Sequence, residues 1–550
     1  MRILHIVYMA TLTVGVVSLI SKYTIQEPIP KSKAWFFDFI LLAWLTYLIF
    51  FLRKIIVDDG SGMVFTHQSI RLNSGLILIF IREFSDLQLN FKRKLLQPAQ
   101  LFVFSFLILI LVGTLLLMLP RASHHEISFM DALFTSTSAV CVTGLIVLDT
   151  SSQFTDFGLT ILIVLIQIGG LGIMTFASYF AYFFRGTSSY ENHLMLRDIT
   201  NANKMSEVFA ILKQIILLTL LIEATGAVFI YFTLPDIAHV KGSSPIFFSI
   251  FHAVSAFCNA GFSTLGSGLF DIHYRFQYGM QFTIAVLIIL GGLGFPIIFN
   301  LYKYISHLVI NRVLPYSQNQ RAKHKAWVIN MNTRIVSITT AILIIGGTLW
   351  FFIMEHNAAF AEHQYAGKWV SAFFASVTTR TAGFNTIDFA EFRLPSLLVV
   401  FILMWIGASP GSTGGGIKTS TIAIATVNFV SLARGKDRME IFKREIAESS
   451  IRRAFAIIAL SFVVIGTATT ALTISDPDKS ILALAFEAVS AYSTVGLSLN
   501  ITSQLSQTGK FIIILTMFIG RVSMLTLLIA CIHKLRFTNY RYPKEEILIN

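Results

Sequence analysis

Charge is scarce in this sequence. Charged residues fill 13% of its 550 positions and hydrophobic residues 55%, whereas a soluble domain carries about 25% charged residues. The deficit excludes a disordered chain and argues against a soluble enzyme. Cysteine is scarce too: Cys141, Cys258 and Cys531 stand far apart, and no Cys-x-x-Cys occurs. Neither a zinc site nor a disulfide framework is expected. There is no His-Glu-x-x-His, and no cluster of His and Asp falls on one apolar run, so a membrane-embedded enzyme is not expected either.

Apolar length is abundant instead. A bilayer span takes about 20 mostly apolar residues. The candidates are 3–20, 35–52, 100–119, 158–184, 208–232, 277–302, 335–353, 395–430, 454–473 and 511–532. The run 395–430 is too long for one ordinary span, and Gly, Ser and Pro break its middle. The opening run follows Arg2 as in a signal peptide, but no small-x-small cleavage site precedes Lys22, so a span is expected there. Lys and Arg total 42 against 29 Asp and Glu, a net +13. The surplus falls in alternate connections: Arg53 to Lys94, Arg185 and Arg197, Arg312 to Lys325, Arg434 to Arg453, and Lys534 to Arg541. Such loops face the cytoplasm. Both termini are then cytoplasmic, and the basic balance calls for no nucleic acid.

The connections on the other side repeat. They read FTSTSAVCVTGL (134–145), FHAVSAFCNAGF (251–262), FFASVTTRTAGF (373–384) and FEAVSAYSTVGL (486–497). In each, a Phe stands ten residues before a Gly, and Leu or Phe follows that Gly. The glycines are Gly144, Gly261, Gly383 and Gly496, and a second set, Gly169, Gly291, Gly407 and Gly520, lies inside the following span. The unit is span, re-entrant segment, span, four times over. Non-helical backbone at membrane depth is tolerated only where it lines protein or a watery cavity. Four such segments can turn unpaired carbonyls onto one axis, and rings of carbonyls replace the water shell of an alkali cation. Glycine suits the task because it reaches φ/ψ values closed to other residues.

These segments resemble the filter loops of the Trk/Ktr/HKT superfamily of potassium transporters. SAVCVTGLIVLDT (138–150), SAFCNAGFST (255–264), TRTAGFNT (379–386), STVGLS (493–498) and the tail RYPKEEILI (541–549) are most similar to the Ktr branch, the KtrB type of membrane subunit. Two spans before the first repeat are instead a Trk-branch feature, as in TrkH. The resemblance implies an all-α integral membrane fold of four pseudo-symmetric membrane–pore-helix–membrane repeats around one pore, plus two N-terminal transmembrane helices. The divisions are then 1–60 for those helices, 61–98 a cytoplasmic linker, 99–190, 205–312, 333–432 and 452–534 for the repeats, and 535–550 a tail. It implies a filter for K+, with Na+ as the alternative ion, at Val142, Thr143, Gly144, Asn259, Ala260, Gly261, Thr381, Ala382, Gly383, Thr494, Val495 and Gly496. Within the superfamily, serine at the first filter glycine goes with sodium, and here that residue is Gly144. The resemblance further implies a homodimer in the cell membrane, no cofactor in this chain, and a cytosolic RCK/KTN-type ring, KtrA- or TrkA-like, carrying a regulatory nucleotide.

The segment GASPGSTGGGIKTST (407–421) invites a phosphate-loop reading, but that motif needs Gly directly before Lys, and Ile417 intervenes before Lys418. An unwound stretch below the filter is expected. The resemblance makes it a gate, with Gly411, Gly414, Gly415, Gly416 and Lys418 in the loop and Arg521 touching it. Arg521 replaces the small residue that follows the second glycine elsewhere, Gly170, Gly292 or Ala408; a charge in a span usually faces a cavity or a partner. Arg380 is expected to cap its own short helix. His252 and Glu487 share a repeat position, nine before the glycine, where either a cap or pair behind the filter or plain core duty is expected; Glu223 lies mid-span, without an assigned partner. Residues 434–453 read as a solvated basic loop. A secondary solute transporter would show inverted repeats; these four all run the same way.

Overall fold

The structure, a computed structural model, describes residues 2–25, 38–49, 75, 78–79, 98–172, 205–234, 244–313, 329–436, 438–523 and 527–528. The expected tail 535–550, Cys531 and most of the linker 61–98 lie outside them.

The chain divides into two compact units, Met1–Lys92 with Tyr182–Ser188, and Arg93–Ala181 with Ser189–Asn550. The first contains two apolar helices, α1 (Arg2–Ile25) and α2 (Asp38–Ile49). Leu12 and Leu19 of α1 are buried with Leu41, Leu45 and Leu48 of α2. The leucines recur at helical spacing, which gives each helix one face for its neighbour.

The second unit is built from four sets of helices. The first set is α3 (Pro98–Leu117), α4 (Phe129–Val140) and α5 (Asp156–Leu171). The second is α6 (Met205–Thr233), α7 (Pro245–Phe257), α8 (Tyr278–Leu293) and α9 (Phe295–Val313). The third is α10 (Met331–Glu355), α11 (Tyr365–Thr378), α12 (Leu394–Trp405) and α13 (Thr419–Ala433). The fourth is α14 (Glu448–Ser475), α15 (Ile481–Ser493) and α16 (Gln507–Val522). In the first, second and fourth sets the short middle helix packs on the helices before it and after it; in the third, α11 packs on α10, and its Ala372 and Ala375 share a core with Leu397, Val400 and Leu403 of α12. Between sets, α5 meets α7, α8 meets α11, α12 meets α15, and α16 returns to α4. The four sets therefore close into a ring.

Three of the four short helices start alike, and α11 instead follows Gln364 with no side-chain cap. Ser128, Ser244 and Ser480 each accept the backbone N–H of the third residue onward, at Asp131, Phe247 and Ala483. A serine at this position satisfies an N–H with no partner inside the helix. Their interiors are buried, with Phe134, Phe251, Phe374 and Phe486 all fully enclosed.

Among the described residues, three helices are long and apolar enough to cross a bilayer: Lys213–Thr233, Met331–Glu355 and Glu448–Ser475. Two expected spans take another form. The run 277–302 is not one straight helix: α8 and α9 meet at a bend of 102°. Gly294 makes that turn with φ of +82°, and Pro296 follows closely. The run 395–430 is broken as expected into α12 and α13. The basic stretch is largely exposed and carries a short hairpin. Glu440–Ile441 pairs antiparallel with Arg444–Glu445, and Phe442 and Lys443 take positive φ at the turn, as a tight hairpin requires.

Candidate functional site

The four glycine segments meet at the centre of the ring. A Cβ on Gly144 would stand 2.4 Å from the Ala260 carbonyl oxygen, one on Gly261 2.6 Å from that of Ala382, one on Gly383 2.2 Å from that of Val495, and one on Gly496 2.2 Å from that of Thr143. Each glycine thus lies against the residue preceding the next repeat's glycine, and the fourth returns to the first. All twelve residues expected here are brought together.

Their backbone has a pattern. Gly144, Gly261, Gly383 and Gly496 have φ of +88°, +70°, +75° and +92°. Val142, Asn259, Thr381 and Thr494, two residues earlier, have φ of +55°, +61°, +68° and +49°. The residue between is not left-handed. Alternating hand turns successive carbonyls to the same side, whereas in a plain strand they alternate. Positive φ is an outlier for β-branched Val and Thr, costing about 1–3 kcal/mol each. The sequence carried no sign of it beyond the glycines.

A hydroxyl anchors each segment. Ser138 donates to the Leu145 carbonyl at 2.8 Å and accepts the Gly144 N–H at 3.1 Å. Ser255 donates to the Phe262 carbonyl at 2.7 Å, and Ser490 accepts the Gly496 N–H at 3.1 Å. In the third repeat, which has Val377 at the serine position, Thr378 donates to the Phe384 carbonyl at 2.7 Å. Further bonds brace the segments from behind. The His252 ring lies 2.9 Å from the Ser263 hydroxyl, and Glu487 accepts from Ser498 and, at 3.0 Å, from Thr502. Glu223 acquires partners the sequence did not assign: Gln167 donates to it at 3.1 Å, and the Cys258 thiol lies 3.8 Å away. Cys141 and Cys258 are buried free thiols.

The second set of glycines allows close approach. A Cβ on Gly169, Gly291 or Gly520 would fall 2.2, 1.9 or 1.9 Å from the carbonyl oxygen of Val140, Phe257 or Tyr492, at the end of the short helix. The third repeat departs here. Gly407 packs instead on Gly415, 2.2 Å from its would-be Cβ, because the chain doubles back between α12 and α13. Ile406 and Ile417 form a parallel bridge at the base of this loop.

The loop lies against the glycine segments. A Cβ on Gly414 would reach the Thr381 hydroxyl at 2.1 Å, and one on Gly415 that of Thr494 at 2.2 Å. The Thr413 hydroxyl is 3.3 Å from the Asn259 side-chain amide. On the far side, the Ser409 N–H donates to the Gly292 carbonyl at 3.0 Å and the Phe295 N–H to the Gly411 carbonyl at 3.2 Å. The bend at Gly294 makes room for this contact. Arg521 donates to the carbonyls of Thr413 and Gly169, and Lys418 to that of Gly414 at 2.6 Å. Arg380 does not bond its own helix end as expected; it donates to the Gly407 carbonyl at 3.2 Å. Its helix already directs the Arg380 N–H to Val377, and the long side chain reaches past that turn. The run 407–411 also spells Gly-x-Ser-x-Gly, but it follows a helix rather than a strand. Ser409 has the Thr419 hydroxyl at 3.5 Å, and no histidine bonds it among the described residues. Nor do three His, Cys, Asp or Glu residues group as metal ligands among them.

The family model of the TrkH cation transport proteins matches residues 68–540. The potassium/sodium uptake protein NtpJ of Enterococcus hirae is 36% identical over 83% of this chain and 98% of its own length. The Ktr system potassium uptake protein B of Vibrio alginolyticus is 35% identical over 82% of this chain and 94% of its own. The crystal structure of the potassium transporter TrkH from Vibrio parahaemolyticus has the same fold, with a TM-score of 0.63 and 16% identity, covering 96% of this chain and 97% of that one. Its ring of short buried helices, its matching relatives and the family match give one conclusion: the chain belongs to the TrkH family of cation transport proteins.

Proposed function

We propose that this chain is the membrane subunit of a potassium uptake system. The four glycine segments, Val142 to Gly144, Asn259 to Gly261, Thr381 to Gly383 and Thr494 to Gly496, form a carbonyl-lined filter. The observation that carries this is the closed cycle of glycine against neighbouring carbonyl, with left-handed residues two apart in all four repeats. A ring of inward carbonyls replaces the hydration shell of a dehydrated cation. The buried hydroxyls of Thr143 and Thr494 lack a protein partner and are further oxygens available to it. Relatives named for potassium uptake support the same ion. Sodium is the second reading, favoured by the relative named for both ions.

The membrane potential supplies the driving force, about 2.3 kcal/mol per charge per 100 mV. The loop 407–421 is the gate: Gly411 to Gly416 obstruct the inner end of the filter, and Lys418 and Arg521 hold them there. The short helices are pore helices of four membrane–pore-helix–membrane repeats, and α1 and α2 are two additional spans. The protein resides in the cell membrane with both termini cytoplasmic, as a homodimer regulated by a nucleotide-binding cytosolic ring.

The test is potential-driven ion flux into proteoliposomes holding the purified chain. Potassium flux above sodium flux is expected. Shortening 411–416 should raise the flux several-fold while potassium binding persists. No flux of either ion, with or without the loop, removes the transport reading; normal binding with unchanged flux removes the gate.

A further inference from the structure

Three cations grip the loop, buried Arg521 at Thr413, half-buried Lys418 at Gly414 and buried Arg380 at Gly407, each by a different carbonyl. Lys418 and Arg521 hold its tip. Arg380 holds its root, where Ile406 pairs with Ile417, the Ile417 N–H donates to Trp405 at 3.2 Å, and the Thr419 N–H donates to Ala408 at 3.2 Å. Arg380 is also part of a glycine segment. It stands directly before Thr381, whose φ is +68°.

Arg380 is 8% exposed, and its Nε has no partner. No carboxylate lies within ion-pair distance of it among the described residues. A buried charge without a counter-ion costs several kcal/mol, so packing alone does not explain it. The third repeat is where a support is needed. Its short helix runs to Thr378, its anchoring hydroxyl sits one position later than the serines elsewhere, and Gly407 no longer packs on the helix end. A strained residue persists only when its surroundings over-determine it. Arg380 restores, by a long side chain, the contact that Gly169, Gly291 and Gly520 make directly in the other repeats.

We infer that Arg380 is a positioning residue for ion selection: it pins the third filter segment to the hydrogen-bonded root of the gate, so that the carbonyls of Thr381 to Gly383 keep their distance from the axis. The inference rests on the filter reading above. The charge itself repels potassium and sodium alike, so the ratio of their affinities isolates the positional role.

The experiment measures potassium and sodium binding to the purified full-length chain in detergent by calorimetry. Arg380→Met removes the donors and keeps the apolar stem; such a replacement of a buried charge is often tolerated by the fold. It should lower the potassium-over-sodium preference about tenfold, equal to about 1.4 kcal/mol. Arg380→Lys keeps a donor and should recover part of that loss. Lys510→Met, which weakens the ring far from the loop, is the stability control and should leave the ratio alone. A wild-type ratio in Arg380→Met overturns the inference, as does an equal loss in Lys510→Met. Absence of ion preference in the wild-type chain would instead remove the filter reading itself.

Discussion

At Gly144 two requirements coincide: φ is +88°, and a side chain would collide with the Ala260 carbonyl. Serine there has to displace a neighbour's backbone rather than a flexible side chain. Gly144→Ser is therefore expected to cut potassium preference over sodium about tenfold, about 1.4 kcal/mol, read as the ratio of initial uptake rates; an unchanged ratio counts against a filter at this position. The four glycines were legible in the sequence because they recur at one offset from a phenylalanine. Val142, Asn259, Thr381 and Thr494 were legible only through the family resemblance. Nothing in a Val or Thr announces a left-handed backbone, since the neighbouring segments impose it.

Elements show the same division. The break between α12 and α13 was readable from five closely spaced glycines, Gly407, Gly411, Gly414, Gly415 and Gly416. The 102° bend between α8 and α9 was not, because it arises where Gly411 presses on Gly294 from another repeat. Arg521 joins loop and spans by bonding Thr413 and Gly169 together. Each buried acceptor left unpaired costs about 1–3 kcal/mol. Arg521→Ala should free the loop tip and raise potassium flux several-fold; lower flux would show that the arginine supports the pore rather than the gate.

The end of α14 carries a pH dependence. Burial raises the Asp476 carboxyl, but hydrogen bonds from Ser475 and from the Ser506 N–H and hydroxyl, with Lys479 nearby, outweigh it, and the net shift is downward. A carboxylate depressed in the fold stabilises above its unfolded value, about 3.9, and that contribution is lost as pH falls through the folded value. Thermal unfolding of the detergent-solubilised chain should shift to lower temperature below about pH 4, and Asp476→Asn should flatten that dependence. An identical acid shift in the variant would assign it to other groups.

At the scale of the ring, the last set of helices meets the first through an apolar core, Phe134 and Val140 with Ile513 and Met517, and through Lys510 of α16, which meets Asp131 of α4 at 2.7 Å with side chains 11% and 16% exposed. Asp131 also bonds the Ser128 hydroxyl at 2.7 Å, so the ion pair ties the ring seam to the start of the short helix α4. Lys510→Met should destabilise by about 1–3 kcal/mol, since it takes one donor from a largely buried carboxylate that keeps the Ser128 hydroxyl; the melting temperature is the measure, and no change would make the pair incidental.

By itself the sequence determined the class of solvent, the order of apolar runs, the fourfold period and the place of the interrupted span. Those follow from composition and spacing, which are local properties. Only the tertiary structure decided which carbonyl faces which glycine, that Arg380 reaches Gly407, that Glu223 meets Gln167 and Cys258, and that α8 bends for the loop. These contacts join residues far apart in the chain. Their geometry is set by ring closure, and no segment encodes that alone.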